Sequence, residues 1–112
     1  MSCIFCQIID REKPARIYYE NEFTIVFADI LPRAPIHLLV CPKEHHKKIY
    51  NLPDNILVQL VKTIGITAEK LKLEDNFRLQ LNNGALAGQI VDHLHFHFLS
   101  RGSTENLKYI DE

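Results

Sequence analysis

The sequence predicts an α+β domain: an antiparallel sheet of about five strands, one long helix and a short N-terminal helix. Three observations carry that expectation. The stretches "ARIYYEN", "EFTIVFADI", "IHLLVCPK" and "FRLQLNN" are rich in β-branched, aromatic or alternating apolar residues, and "HLHFHFL" alternates strictly. One long segment after Asn51 instead carries apolar residues at helical spacing. The strands are joined by short breaks rather than by regular strand–helix–strand alternation, which favours hairpins over a parallel sheet.

Taken in order, "CIFCQII" places Ile4, Phe5, Ile8 and Ile9 at roughly helical spacing before a polar run and Pro14, so it reads as a short helix. The first two strands are separated by "ENE", a tight hairpin. "LPRAP" breaks the chain with two prolines, and the third strand ends at Pro42. Asn51 suits a helix cap and Pro53 a first turn; Leu57, Leu60, Val61, Ile64, Ala68 and Leu71 then predict a helix over 54–72. Phe77, Leu79 and Leu81 alternate with Arg78 and Gln80, the pattern of a half-buried strand. "GALAG" is a small-residue loop, and the histidine strand follows it.

The chain of 112 residues is expected to form a single domain over 1–112. Its 46% hydrophobic and 24% charged residues are normal for a globular protein and argue against disorder. A net charge of −1 argues against a nucleic-acid partner. No apolar run approaches a membrane span, so no membrane partner is expected, and the N-terminus does not read as a signal peptide. A cytoplasmic protein is the expectation. Three cysteines fit poorly with a disulfide framework. Cys41 lies in an apolar run and is expected to be buried, whereas Cys3 and Cys6 are thiols available for metal or redox work. The βαβ context of a thioredoxin-like motif is missing, which argues against redox.

His93, His95 and His97 occupy alternate positions, so an extended strand would line them on one face with Leu94, Phe96 and Phe98 buried on the other. The outer two rings would start roughly 13 Å apart, too far for one ion to take all three, although two neighbours such as His93 and His95 could share one. A neutral imidazole is a usable nucleophile and hydrogen-bond donor near neutral pH. Just upstream, "NNGALAGQ" supplies Gly84, Gly88 and the Gln89 amide, a cradle that lets donors approach an anion. An anion cradle beside a row of imidazoles points to attack on phosphorus.

"HLHFHFL" resembles the signature of the histidine triad (HIT) superfamily of nucleotide hydrolases and transferases. "CIFCQII", "FADILPRAPIHLLVCPKEH" and "NNGALAGQIVDHLHFHFL" resemble that family's other blocks, in order and with compatible spacing. The resemblance implies a HIT-like fold, usually a homodimer, and an enzyme acting at the α-phosphate of purine nucleotide conjugates: nucleoside phosphoramidates or acyl-nucleotides, with dinucleoside polyphosphates as the alternative. It makes His95 the nucleophile that forms a nucleotidyl-histidine, His97 a donor to a phosphate oxygen, and Gln89 a further polar participant. Asn82, Gly88, Gln89 and Ile90 would line the phosphate and ribose side, Asp29 would accept from the ribose hydroxyls, and Phe5, Ile8 and Phe27 would form the base pocket. Many phosphoramidases of the family carry Ser where Ile90 stands, and Ile90 cannot help protonate an amine leaving group. A nucleotide-binding module with weak catalysis is therefore the reading from another class. Ala87 stands where Gly is common, and Asp92 replaces a usual aromatic with no role evident from sequence.

Two thiolates at the spacing of "CIFC" suit one tetrahedral Zn²⁺. Some branches of the superfamily hold structural zinc with two N-terminal cysteines, a histidine after "PK-x" and the first histidine of the triad. The resemblance thus implies Cys3, Cys6, His45 and His93 as zinc ligands, against two free thiols and a triad without metal. His37 is expected to pack near a strand start.

Overall fold

In a computed structural model, which describes residues 3–112, the elements run α1 (Ile4–Ile9), β1 (Ile17–Glu20), β2 (Thr24–Ala28), β3 (Ile36–Pro42), α2 (Asp54–Leu71), β4 (Arg78–Leu81) and β5 (Phe96–Ser100). The N-terminal reading against a signal segment begins at Met1 and Ser2, which lie outside the described residues. The five strands form one sheet in the order β1-β2-β3-β5-β4, and every neighbouring pair is antiparallel. This is the expected α+β architecture. Among the described residues no helix is long and apolar enough to cross a membrane.

Register decides which side chains share a face. Val26 opposes Val40, Val40 opposes Phe96 and Leu38 opposes Phe98, so these residues form one apolar surface. Against it pack Ile56, Leu60, Ile64, Ala68 and Leu71 of α2. On the reverse face Ile25, Phe27, Leu39 and Cys41 meet Phe5 and Ile8 of α1. β2 is buried along its whole length, sandwiched between the two cores. Burying each large side chain contributes about 1.5–3 kcal/mol, so the central strands hold the two layers together.

Local chemistry sets the element ends. The Cys3 sulfur accepts from the Cys6 N–H at 3.3 Å and caps α1. In the β1–β2 hairpin, Asn21 Oδ1 accepts from the N–H groups of Phe23 and Thr24, closing the turn with one side chain. α2 begins at Asp54 with Pro53 at the cap position and no side-chain cap, so Asn51 does not cap it as its type suggested. It ends one residue early because Lys72 turns into the left-handed region at φ 59°.

Three further expectations are corrected. Leu57 and Val61 do not face the core; with Val58 they stay on the outer side of α2, and Val61 is 60% exposed. The buried stripe runs instead through Ile56, Leu60, Thr63, Ile64, Thr67 and Leu71. Leu79 is 43% exposed because β4 is an edge strand and α2 packs over β2 and β3. Finally, pairing in β5 starts only at Phe96, and bends at 91–93 replace the expected extended start. The opposite edge, β1, is covered: Ile17 N–H donates to Asp111 O and Ile110 N–H to Ile17 O, both at 2.7 Å.

Candidate active site

A cavity of about 620 Å³ opens between α1, the ends of β2 and the loop before β5. Phe5, Ile8, Phe27, Asp29, Asn82, Gly88, Ile90, His95 and His97 line it. The sheet places the two histidines there because His97 opposes Leu39 in β3 and therefore shares the α1 face. Phe5 and Phe27 meet edge to face at 5.2 Å and wall the apolar end. Ile90 is 94% exposed at the rim.

His95 is 7% exposed, with its ring 5.1 Å from both Phe5 and His97. Its Nδ1 lies 2.8 Å from the His93 carbonyl oxygen, which can only accept, so Nδ1 carries the proton. The Nε2 lone pair is thereby left for the cavity. Burial lowers the pKa of this ring below its ordinary value, opposed by the His93 carbonyl and the Asp29 charge. The ring is neutral at pH 7, the state a nucleophile needs.

A second chain of contacts fixes His97, and it enlists His37. Arg33 N–H donates to His37 Nδ1 at 3.0 Å, which puts the His37 proton on Nε2. That Nε2–H faces His97 Nδ1 at 2.9 Å and Asp29 Oδ2 at 3.3 Å. His97 must then accept at Nδ1 and carry its own proton on Nε2, ready to donate. Asp29, His37 and His97 are close enough to hold a cation, but a protonated His37 Nε2 makes this a hydrogen-bond relay instead. Sequence reading placed His37 only at a strand start. The available signal was alternation in "IHLLVC", which puts His37, Leu39 and Cys41 on one face.

Burial, with the charges of His95, His37 and Arg33, pushes His97 down to about 4, and burial lowers His37 too. Imidazoles of the unfolded chain titrate near 6.5. A depressed folded-state value means that the stability these rings contribute is complete above the unfolded value and is lost as pH falls. The thermal midpoint is expected to drop between pH 6.5 and 5, and to drop less in His97→Gln. Equal slopes in the two proteins would show that His97 titrates like a solvated ring.

Gln89, expected to serve catalysis and nucleotide binding, makes its side-chain contacts within the protein. Its Oε1 accepts from Gly84 N–H at 2.7 Å, and its Nε2 donates to the carbonyls of Lys47 and Val91, each at 3.0 Å. The amide is spent holding its own loop, and Gln89 does not line the cavity. Gly84 and Gly88 take φ of 100° and 92°, which L side chains rarely adopt, at the two ends of a short 3₁₀ turn. The same loop is stitched to the segment after β3. Leu94 N–H donates to His46 O, Ile49 N–H donates to Asn83 Oδ1, and Asp92 pairs with Lys48 and, at 3.7 Å, with Lys47. Asp92 thus acquires a role: it clamps the approach to the triad.

Cys3, Cys6, His45 and His93 converge behind His95, their ligand atoms all within 4.8 Å of one another. His93 Nε2 donates to Pro42 O at 2.8 Å, so its Nδ1 lone pair faces the cluster. That Nδ1 lies 3.1 Å from His45 Nδ1, 3.4 Å from the Cys3 sulfur and 3.7 Å from the Cys6 sulfur, and Cys6 stands 3.3 Å from His45. A tetrahedral zinc centre with standard bond lengths has N–N edges of about 3.3 Å and N–S edges of about 3.6 Å. The four residues fit a metal ion. Burial and the neighbouring Cys3 push the Cys6 thiol up to about 11, a trend that a cation reverses.

Comparison with known proteins agrees with this geometry. The family model described as the HIT domain matches residues 10–104. The chain is 42% identical over 111 residues to an uncharacterized HIT-like protein of Methanocaldococcus jannaschii, covering 96% of this chain and 86% of that one. It is 38% identical over 107 residues to the adenosine 5'-monophosphoramidase HNT1 of Candida albicans, covering 89% and 70%. Among solved structures, a HIT family hydrolase from Clostridium thermocellum superposes with a TM-score of 0.83 at 42% identity, covering 93% of each chain. The sheet order, the paired imidazoles and these likenesses agree: the chain belongs to the HIT domain family, as a hydrolase.

Proposed function

We propose that the chain cleaves the bond between the α-phosphorus and the leaving group of a purine nucleotide conjugate, a nucleoside phosphoramidate or acyl-nucleotide, through a nucleotidyl–His95 intermediate. One observation carries the reading: the His93 carbonyl holds the His95 proton on Nδ1, so the Nε2 lone pair faces the cavity. The name of the Candida relative supports the phosphoramidate. The apolar end at Phe5, Ile8 and Phe27 takes the base, and the partly exposed carboxylate of Asp29 accepts from the ribose hydroxyls.

The steps follow from the two tautomers. His95 Nε2 forms a bond to phosphorus while the bond to the leaving group breaks, and a departing amine takes up one proton from solvent. The ring becomes a phosphorylated imidazolium whose Nδ1–H stays on the His93 carbonyl. His97 Nε2–H donates to a phosphate oxygen as charge builds there. Water then attacks the same phosphorus, the N–P bond breaks, and the proton that water loses restores the balance. Mass spectrometry of the intact protein after a brief pulse of adenosine phosphoramidate tests this; the reading requires a nucleotidyl adduct on His95.

Ile90 offers no proton to an amine at the rim. Ile90→Ser is expected to raise kcat/KM for an amine-leaving conjugate several-fold, with little change for an acyl-nucleotide. An equal effect on both would place residue 90 away from the leaving group.

A structural Zn²⁺ on Cys3, Cys6, His45 and His93 completes the proposal. When bound, the ion crosslinks α1 to the segments after β3 and before β5. Its thiolates need a reducing compartment, which supports a cytoplasmic location. A homodimer is supported by the outer apolar side of α2 (Leu57, Val58, Val61) and the exposed Leu79 on the β4 edge. A sedimentation coefficient of a single chain at micromolar concentration would remove the dimer.

A further inference from the structure

Cys3 and Cys6 stand one turn apart at the start of α1. Helix geometry sets their Cα atoms about 5 Å apart, a separation that a disulfide spans. The two sulfurs lie within 4.8 Å of each other, and both residues are half-buried. The third thiol, Cys41, is 0% exposed inside the core that holds Ile25 and Phe27. A small oxidant in solution therefore meets the pair and not Cys41.

The histidine half of the cluster can release an ion without stranding a donor. His93 Nδ1 only accepts, because Nε2 donates to Pro42 O. With an ion on His45 Nδ1, the His45 proton must sit on Nε2, which is buried and has no partner among the described residues. Without the ion, that proton moves to Nδ1 and donates to His93 Nδ1 at 3.1 Å. A buried N–H left without a partner is costly, so these two rings are better hydrogen-bonded once the ion has gone. His93 then keeps its place, and its carbonyl stays on His95 Nδ1. A link between Cys3 and Cys6 closes a ring within the start of α1 alone. It reaches neither the segment after β3 nor the approach to β5, which an ion on all four residues would join.

We propose that Cys3 and Cys6 are a reversible oxidation site: a hydroperoxide joins their sulfurs in a disulfide, which withdraws both thiolates from the metal site and disconnects α1 from His45 and His93. With hydrogen peroxide, one thiolate sulfur attacks a peroxide oxygen, the O–O bond breaks, and a sulfenic acid and one water result. The second sulfur attacks the sulfenic sulfur, the S–O bond breaks, and the hydroxyl leaves as a second water. Two thiolates and one peroxide, with two protons from solvent, thus give one disulfide and two waters. The pair lacks a βαβ surround, so this is a modification of the chain itself and not disulfide exchange on other proteins.

Mass and metal are read together on the full chain, purified under reductant without chelators and then treated with equimolar hydrogen peroxide. The intact mass is expected to fall by two hydrogens, and tryptic mapping to place the link within residues 1–11, apart from the peptide that carries Cys41. Zinc is expected to appear in solution, read with a colorimetric chelator, in proportion to the disulfide. The thermal midpoint should fall to that of metal-stripped protein, and dithiothreitol with added zinc should restore it. Cys41→Ser should behave like the wild type, whereas Cys3→Ser should gain oxygen and lose no hydrogens. A link through Cys41, oxygen added to the wild type with no loss of hydrogens, or thiols unchanged under excess peroxide overturns the site. Zinc that stays bound while the link forms overturns the release. Protein found metal-free at the outset would end the reading of the four ligands, and the mass would still decide the disulfide.

Discussion

His95→Ala is expected to abolish turnover of an adenosine phosphoramidate, lowering kcat at least about a thousandfold. Without Nε2 no N–P bond can form, and water must attack phosphorus directly, with only binding and the His97 donor to help. The ring is packed on Phe5 at the cavity wall rather than inside the main core under α2, so the thermal midpoint should change little and the loss can be read as chemistry. The adduct seen by mass spectrometry in the wild type should be missing. His97→Ala should cost less, about a hundredfold to a thousandfold, as expected for one donor to a developing oxyanion. Turnover surviving in His95→Ala would move the nucleophile elsewhere.

Metal removal is expected to have the largest effect on stability. Elemental analysis of protein purified without chelators should give one zinc per chain. Stripping it, or replacing Cys6 with Ser, should lower the thermal midpoint by roughly 10 °C or more, corresponding to about 2 kcal/mol for a domain of this size. The reason is topological: the four residues lie at the start of α1, after β3 and on the approach to β5, so an ion on them would tie three separate parts of the chain together. His93 extends the consequence to the chemistry, because its ring faces the cluster while its carbonyl holds His95 Nδ1. A midpoint unmoved by metal removal, or protein that contains no metal, would refute the site.

The strands and helices were legible because their signals are local. β-Branched and aromatic richness marked β1 and β2, period-two alternation marked β4 and β5, helical spacing marked α2, and the family resemblance supplied Cys3, Cys6, His45 and His93 as an expected ligand set. What escaped depends on partners far along the chain. His37 joins the site through His97, sixty residues away; alternation in "IHLLVC" gives its face, but only the β3–β5 register brings it beside His97. Gln89 looked like a free donor because sequence cannot show that Gly84, Lys47 and Val91 already use its amide. Leu57 and Val61 sit on the same helical stripe as core residues, and only the placement of α2 over β2 and β3 decides that they stay outside.

The stitching of the loop before β5 to the residues after β3 bears on how molecules come and go. With Lys47, Lys48, Ile49 and His46 all tethered to partners between Asn83 and Leu94, that wall cannot swing aside without breaking several bonds at once. Exchange of reactant and product is left to the other lip, where Ile30 and Leu31 stand 84% and 78% exposed beside Lys13 and Pro14. Bulk added at Ile30 or Leu31 is expected to slow release before it touches the reaction itself.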